Sequence, residues 1–342
     1  MNGALERLYR RKDLAPEALE SLFVRLITGE LDPLVLAALL VALKIKGERG
    51  SEIAAAARAL RAGARPFPRP DYFFADSCGT GGDGRGTLNV SSGVAFCAAA
   101  CGLPIAKHGN RSVSSRSGSA DVLEALGVNV RTDVATARRC LDEAGVAFLF
   151  APDYHPGIAH AMPVRRALAT RTLFNLLGPL VNPACPPCQL AGVYAPEQVM
   201  PMAEALAMLG VERALVVHGA GLDEIALHGP TIAAHVHDGR VEALELTPEQ
   251  AGCEQWPLEA LAGGEPQANA CALAAALNGE DKGAYAEAIA LNTGALLWIA
   301  GRADTLAVGT AEAREALSDG RAGERLDHLR ALTTGGLNDG TG

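Results

Sequence analysis

The sequence predicts an α/β protein in which a small all-helical N-terminal domain precedes a larger α/β domain with a mainly parallel sheet. Three observations predict it. Residues 4–64 carry apolar groups at helical spacing, residues 65–70 read Arg-Pro-Phe-Pro-Arg-Pro, and beyond Tyr72 short apolar runs alternate with alanine-rich helical stretches. The proline-rich segment cannot continue a helix and reads as a linker. Short apolar runs between helices are the pattern of strands covered on both faces, as parallel sheets are.

In the helical domain, starts are expected near Ala15-Pro16 and Leu31-Asp32-Pro33, and stops near Gly47 and Gly63. Residues 34–43 are apolar nearly all round a helix, more than a small domain covers alone, which predicts a homodimer formed through this domain. Strands are expected at residues 103–106, 146–150, 190–194 and 214–217, and a hairpin within 225–246 turning at Asp238-Gly239. Helices at about 268–278, 283–301 and 310–331 close the domain, and 333–342 reads as a frayed tail.

The bulk properties restrict the function. A chain of 342 residues with 49% hydrophobic content suits one large or two modest domains with ample core. With 30 basic and 39 acidic residues the net charge is −9, which argues against nucleic acid or an anionic membrane as the main partner. Residues 107–171 run the other way, with nine Lys or Arg against six Asp or Glu, and would draw a small polyanion. The N-terminus shows no signal-like apolar stretch, and the longest early apolar run is about half a membrane span, so a cytoplasmic protein is expected. Eight scattered cysteines then read as small buried apolar residues. Cys185-Pro-Pro-Cys188 has metal-knuckle spacing, but no second Cys-x-x-Cys or His pair completes a tetrahedral site.

Two loops carry the chemistry. Residues 76–92 read Asp-Ser-Cys-Gly-Thr-Gly-Gly-Asp-Gly-Arg-Gly-Thr-Leu-Asn-Val-Ser-Ser and run into an apolar helical stretch. Glycines let the backbone N–H groups approach a polyanion, and Ser91 or Ser92 would cap a helix whose N-terminus favours negative charge. A tight turn alone would explain the glycines, but not Asp83, Thr87, Asn89 and Ser91 along with them. Residues 107–121, Lys-His-Gly-Asn-Arg-Ser-Val-Ser-Ser-Arg-Ser-Gly-Ser-Ala-Asp, form a second anion loop with Lys107, Arg111, Arg116 and the hydroxyls of Ser114, Ser115 and Ser119. A solvated basic loop fits any one of these residues and fits the combination poorly. Two such loops imply a ligand phosphorylated at both ends.

Four blocks give the chain its resemblance: residues 76–92 with Gly-Thr-Gly-Gly-Asp, 107–127 with Lys-His-Gly-Asn-Arg and Leu-Glu-Ala-Leu-Gly, 163–183 with Pro-Val-Arg-Arg-Ala-Leu-Ala-Thr-Arg-Thr-Leu-Phe-Asn-Leu-Leu-Gly-Pro-Leu-Val-Asn-Pro, and 218–224 ending Gly-Leu-Asp-Glu. Over nearly its whole length the sequence resembles the anthranilate phosphoribosyltransferases of tryptophan biosynthesis. The resemblance implies the fold of the nucleoside phosphorylase and phosphoribosyltransferase class with a helical domain. In that fold residues 157–180 return to the helical domain of residues 1–66, residues 71–156 with 185–342 form the α/β domain, and 65–70 and 181–189 link them.

The resemblance also implies two substrates, anthranilate and phosphoribosyl pyrophosphate, with Mg2+, as two ions. Phosphoribosyl pyrophosphate would be held by Gly79, Gly82, Asp83, Thr87, Asn89, Val90, Ser91, Ser92, Lys107, His108, Gly109, Asn110, Arg111, Ser114, Ser115 and Ser119. Anthranilate would meet Gly79, His108, Asn110, His155 and Arg165, the last facing its carboxylate; the residues alone equally allow a helix-surface arginine. Asp223 and Glu224 follow an expected strand, where parallel sheets build sites; alone they fit a surface pair as well as a ligand pair, and the resemblance makes them, with Ser91, metal ligands. No protein nucleophile or assigned general base is implied. Two departures fall in the anthranilate half: Ala169 stands where the family usually has glycine, and Gly157-Ile-Ala replaces Ala-Met plus a basic residue.

A pyrimidine nucleoside phosphorylase of the same fold would share Lys107-His108-Gly109 but carry a lysine-containing Ser-Thr-Gly-Gly loop where this chain has Cys78-Gly-Thr-Gly-Gly-Asp83. A non-catalytic relative that binds nucleic acid would show a basic surface and eroded loops; the charge of −9 and the intact Asp223-Glu224 oppose it.

Overall fold

The computed structural model describes residues 2–112 and 116–335. Four helices open the chain: α1 (Asn2–Tyr9), α2 (Pro16–Ile27), α3 (Pro33–Lys46) and α4 (Gly50–Ala62). Proline begins α2 and α3, where its missing N–H costs nothing, and Asp32 caps α3 by accepting from Leu34 N at 2.7 Å. Gly47 ends α3 at φ 87°, a conformation glycine adopts freely.

Seven strands form one sheet in the order β3-β2-β1-β4-β5-β6-β7. They are β1 (Ala75–Gly79), β2 (Ile105–Gly109), β3 (Val146–Phe150), β4 (Cys188–Gly192), β5 (Arg213–Gly219), β6 (Thr231–His237) and β7 (Arg240–Leu246). The first five are parallel, and β6 and β7 add an antiparallel hairpin at one edge. Its two-residue turn, Asp238-Gly239, has φ of 50° and 75°, the primed geometry that matches strand twist. Strand β1 corrects the reading of residues 76–79 as loop. Its Asp-Ser-Cys-Gly is polar, yet it lies inside the sheet between β2 and β4, where Asp76 finds buried hydrogen-bond partners.

Strand alternation divides the core. Leu190, Leu215, Val217 and Ala233 face one cluster, with α5 (Val90–Ala100), α12 (Pro266–Leu277), α13 (Ala284–Ile299), α14 (Leu306–Ser318) and α15 (Arg321–Thr334). Ala191, Ala214, Val216 and Ala234 face the other, with α11 (Val199–Met208) and the N-terminal helices. The remaining helices are α6 (Ser119–Ala125), α7 (Val134–Glu143), α8 (Ala151–Tyr154), α9 (Met162–Leu168) and α10 (Leu173–Leu177). Val164, Leu173, Phe174 and Leu177 of α9 and α10 pack in the same cluster as Phe23, Leu40 and Leu60, with the Phe23 and Phe174 rings 5.7 Å apart.

Three expectations need correction. Residues 310–331 are not one helix, because Gly320 at φ 80° separates α14 from α15. Helix α15 continues to Thr334, past the expected start of the tail, and residues 336–342 lie outside the described ones. The N-cap of α5 is Asn89 rather than Ser91 or Ser92: its carbonyl already accepts from Ser92 N and Gly93 N, so both serines are inside the first turn. No helix among the described residues is long and apolar enough to cross a membrane.

Candidate active site

Strands β1, β2, β4 and β5 all end in glycine: Gly79, Gly109, Gly192 and Gly219. Gly79 and Gly192 are partners in register. A Cβ at Gly79 would overlap the Asp223 carboxylate, one at Gly192 the Asp223 carbonyl, and one at Gly219 the Glu224 carbonyl. The missing side chains are what let the loop after β5 fold back over the strand ends. That places Asp223-Glu224 at the C-terminal edge of the sheet, where such sheets hold ligands.

There the carboxylates join the glycine-rich loop. Asp223 Oδ2 accepts from Gly81 N at 2.6 Å, and Glu224 Oε1 accepts from Ser91 N at 3.3 Å. Lys107, 3% exposed, donates to Ser77 O at 2.7 Å and to Ser91 Oγ at 3.1 Å. Burial raises the Asp223 carboxyl to about 6, reinforced by repulsion from Asp83. Burial and then the Asp223 charge raise Glu224 to about 8, with Lys107 opposing. Crowded carboxylates of this kind favour a cation. Among the described residues no three His, Cys, Asp or Glu side chains converge as a metal cluster. Asp223, Glu224 and the Ser91 hydroxyl are a partial set of hard oxygen donors, fit for a Mg2+ that takes its other ligands from phosphate oxygens and water.

The rest of the first loop is braced from behind. Gly81, Gly82, Gly84 and Gly86 all have positive φ, and Asp83 Oδ1 accepts from Arg85 N at 3.0 Å. Thr87 pairs with Ala262 in an isolated bridge, Val90 is buried, and the buried Ser92 hydroxyl has no partner among the described residues. Asn89 donates to Ser117 O, accepts from Asn269 Nδ2 at 3.1 Å, and its carbonyl accepts from the buried Tyr285 hydroxyl at 3.1 Å.

The second loop is turned more toward the protein than expected. Arg111 makes a two-pronged ion pair with Glu124, both distances 2.6 Å, and reaches Asp121 at 3.0 Å. Asp121 also accepts from Ser112 N and Gly118 N. Both side chains of this pair are partly exposed, so it ties Arg111 to α6 only weakly. Asn110 Oδ1 accepts from Arg111 N, and Ser119 donates to Asn110 O. Ser114 and Ser115 lie outside the described residues.

On the opposite side lie two buried imidazoles. Their ring centroids are 5.3 Å apart. His108 Nδ1 meets Gly178 O at 3.0 Å and His155 Nε2 meets Val181 O at 2.7 Å. A carbonyl only accepts, so those nitrogens carry the hydrogens. His108 Nε2 and His155 Nδ1 are therefore lone-pair acceptors; His108 Nε2 has no partner among the described residues, while the His155 ring also lies against the Leu60 backbone. Burial lowers His108 to about 3, helped by His155, and burial lowers His155 as well. The intervening carbonyls are also taken, Pro179 O by Gln189 Nε2 and Leu180 O by Arg61 Nε at 2.6 Å. Asn182 Nδ2 bridges Asp76 Oδ2 and Ala106 O, both at 2.8 Å, and burial raises Asp76 to about 6.

Arg165 is half-buried on α9, its guanidinium 5.1 Å from the centre of the Phe174 ring, with no carboxylate in salt-bridge range among the described residues. Arg166 is exposed. Arg171 stacks on Tyr194 at 4.5 Å and donates to Gly82 O, tying the segment after α9 to the glycine loop. Ala169, at φ 46°, holds a left-handed position that glycine takes without cost, which gives this departure a conformational meaning. Cys188 is buried in β4, its thiol raised to about 12 by burial, and behaves as a small apolar residue. Arg61, Asn182, Gln189, Asn269, Tyr285 and Asn292 escape sequence reading because each acts through a partner that the fold, not the local sequence, brings to it. A polar residue inside an apolar helix, as Asn292 is in α13, was their one visible signal.

The chain matches the helical bundle domain of a glycosyl transferase family over residues 2–64 and that family's a/b domain over 71–323. It is 56% identical over 339 residues to an anthranilate phosphoribosyltransferase of Sorangium cellulosum, spanning 99% of this chain and 97% of the relative. It is 54% identical to one of Aeromonas hydrophila, spanning 97% of each. Among solved structures, the Thermus thermophilus anthranilate phosphoribosyltransferase superposes with a TM-score of 0.92 at 46% identity, covering 96% of this chain and 99% of that one. The Saccharomyces cerevisiae enzyme in complex with PRPP and Mg superposes at 0.89 with 27% identity, covering 97% of each. With the helical bundle, the sheet and the strand-end site in place, the chain belongs to the anthranilate phosphoribosyltransferase family.

Proposed function

We propose that this chain transfers the phosphoribosyl group of 5-phosphoribosyl 1-pyrophosphate to the amine of anthranilate, giving N-(5-phosphoribosyl)anthranilate and pyrophosphate in tryptophan biosynthesis. The observation that carries this reading is the junction of Asp223 and Glu224 with the glycine loop beside Lys107, a place for a pyrophosphate and its counter-cation. Gly79, Gly82, Asp83, Thr87, Asn89, Val90, Ser91, Ser92 and Lys107 hold the pyrophosphate end, and the second loop the other end. Arg111, whose pair with Glu124 is partly exposed, belongs to that second loop's contacts with the ligand in this reading.

Asp223, Glu224 and Ser91 would hold Mg2+, as two ions, whose positive charge would favour the departure of pyrophosphate. The amine is neutral at pH 7 and attacks without prior deprotonation, so the residues work by position and charge. Arg165 pairs with the anthranilate carboxylate, for which its planar fork is suited. The lone pairs on His108 Nε2 and His155 Nδ1 suit an amine donor, and the low proton affinity of both rings keeps them neutral. Asn110 and Gly79 complete the pocket.

The pocket lies between two units in this reading, residues 1–66 with 157–180 and residues 71–156 with 185–342, linked by 65–70 and 181–189. The protein is cytoplasmic and a homodimer through α3, whose Leu34 and Ile45 are 80% and 65% exposed on the stripe that continues through Val41. Light scattering that gives a monomer at micromolar concentration would dismiss the dimer. The activity is tested by the loss of anthranilate fluorescence: consumption should require both phosphoribosyl pyrophosphate and Mg2+, and consumption without either would refute the reading.

A further inference from the structure

The segment that presents the carboxylates is pinned at both ends. At its start, Gly219 and Leu222 exchange two backbone hydrogen bonds of 3.0 Å. At its end, directly after Glu224, the side chain of Asn292 takes both backbone groups of Ile225: Oδ1 accepts from Ile225 N at 2.9 Å, and Nδ2 donates to Ile225 O at 3.1 Å. Nδ2 also donates to Ala288 O at 2.9 Å, which ties the amide to its own helix. One residue on, Ala226 N donates to Thr231 Oγ1 at 3.0 Å. Asn292 and Thr231 are both fully buried.

We propose that Asn292 is a positioning residue for the Asp223-Glu224 pair, with Thr231 in support; this rests on the reading that the pair holds a divalent cation. The physical case is one of matching. A primary amide offers a donor and an acceptor in one plane, the complement of a single residue's own N–H and C=O, so it fixes the backbone of Ile225 and with it the direction of the preceding carboxylates. Neither hydrophobic packing nor a hydroxyl does both. The pair needs such a constraint because two neighbouring carboxylates must be held side by side to share one cation. A loop free to relax would separate them and lose the cation's geometry.

The test compares Asn292→Ala, Asn292→Asp and Thr231→Val with the parent, and with Thr310→Ala, which removes an equally buried hydrogen bond, to Leu306 O, on the neighbouring helix. Asp keeps the shape and the acceptor but cannot donate to Ile225 O. Two readouts are taken: the Mg2+ concentration for half-maximal activity, and Mn2+ binding by electron paramagnetic resonance with inorganic pyrophosphate present. Both Asn292 variants should weaken each by about tenfold or more, with the Michaelis constant for anthranilate within about twofold of the parent. Thr231→Val should shift both readouts the same way by less, and Thr310→Ala should lower the melting temperature with neither readout moved. Parent-like Mn2+ binding in folded Asn292 variants would overturn the proposal and leave the metal reading standing. Were both to unfold, Thr231→Val would decide by the same measure. A parent that binds no Mn2+ with pyrophosphate would instead overturn the metal reading itself.

Discussion

Replacing Asp223 by Asn together with Glu224 by Gln separates the cost of the site from its use. Both substitutions keep an oxygen to accept from Gly81 N and Ser91 N, so the loop contacts survive. They remove two charges held in a poor environment: burial and mutual repulsion raise Asp223 to about 6 and Glu224 to about 8, against ordinary values of 3.8 and 4.5. Each pKa unit is worth about 1.4 kcal/mol, but the carboxyls are half-buried and water screens part of it. The two N–H contacts also weaken once they lose a charged acceptor. The net gain expected at pH 8 without ligand is about 1–3 kcal/mol, which at about 2 °C per kcal/mol raises the melting temperature by about 2–6 °C.

The pH dependence has a definite sign. Between about pH 4 and 8 the folded parent keeps protons that the unfolded chain has released, so its stability falls as pH rises through that window. The double variant has nothing to release there. Its advantage should therefore be largest at pH 8 and nearly vanish at pH 5, while turnover at pH 8 falls at least about a hundredfold below the parent's. Melting curves at the two pH values, beside the fluorescence assay, make the comparison. A variant less stable than the parent at pH 8, or equally favoured at both, would refute the electrostatic argument; parent-level turnover would refute the metal role.

Arg165→Ala should raise the Michaelis constant for anthranilate about tenfold or more, since a charged hydrogen bond of roughly 1.5–3 kcal/mol is lost, and leave that for phosphoribosyl pyrophosphate unchanged; equal losses would make the arginine structural. Ala169→Gly should stabilise the fold by about 1 kcal/mol by relieving the left-handed conformation, read by urea unfolding, and a loss of stability would show that the neighbouring contacts outweigh it. In the parent, the Mg2+ needed for half-maximal activity should rise as pH is lowered from 8 to 6, because the carboxylates must shed protons to bind it; a requirement that does not move with pH would contradict their raised values. Gly192→Ala should abolish turnover, because its Cβ overlaps the Asp223 carbonyl, and an active variant would show that the loop yields.

What the sequence made legible was local. The caps and breaks of α2 and α3 and the turn at Asp238-Gly239 each depend on one or two residues whose conformational preferences act at short range. The polar strand β1 was not legible, because inside the sheet its Asp76 meets Asn182, more than a hundred positions away. Among the site residues, Lys107, Ser91, Asp223 and Glu224 do come together, and Arg111 also pairs with Glu124, a contact that the basic character of its loop hides.

The glycines ending β1, β4 and β5 show why the division falls there. As letters they are three scattered small residues; in the fold they are the space into which Asp223 and Glu224 are folded. A carboxylate pair is visible in the sequence and, through the family resemblance, nameable as a candidate ligand, whereas the room it occupies is defined by atoms that are missing from other strands. The same holds for the carbonyls from Gly178 to Val181, whose four side-chain partners come from four separate places in the chain; those of Gly178 and Val181 set the tautomers of the two buried histidines. The groups that meet substrate are thus readable one at a time. Their protonation and direction belong to the backbone that surrounds them, and that is settled only when distant segments meet.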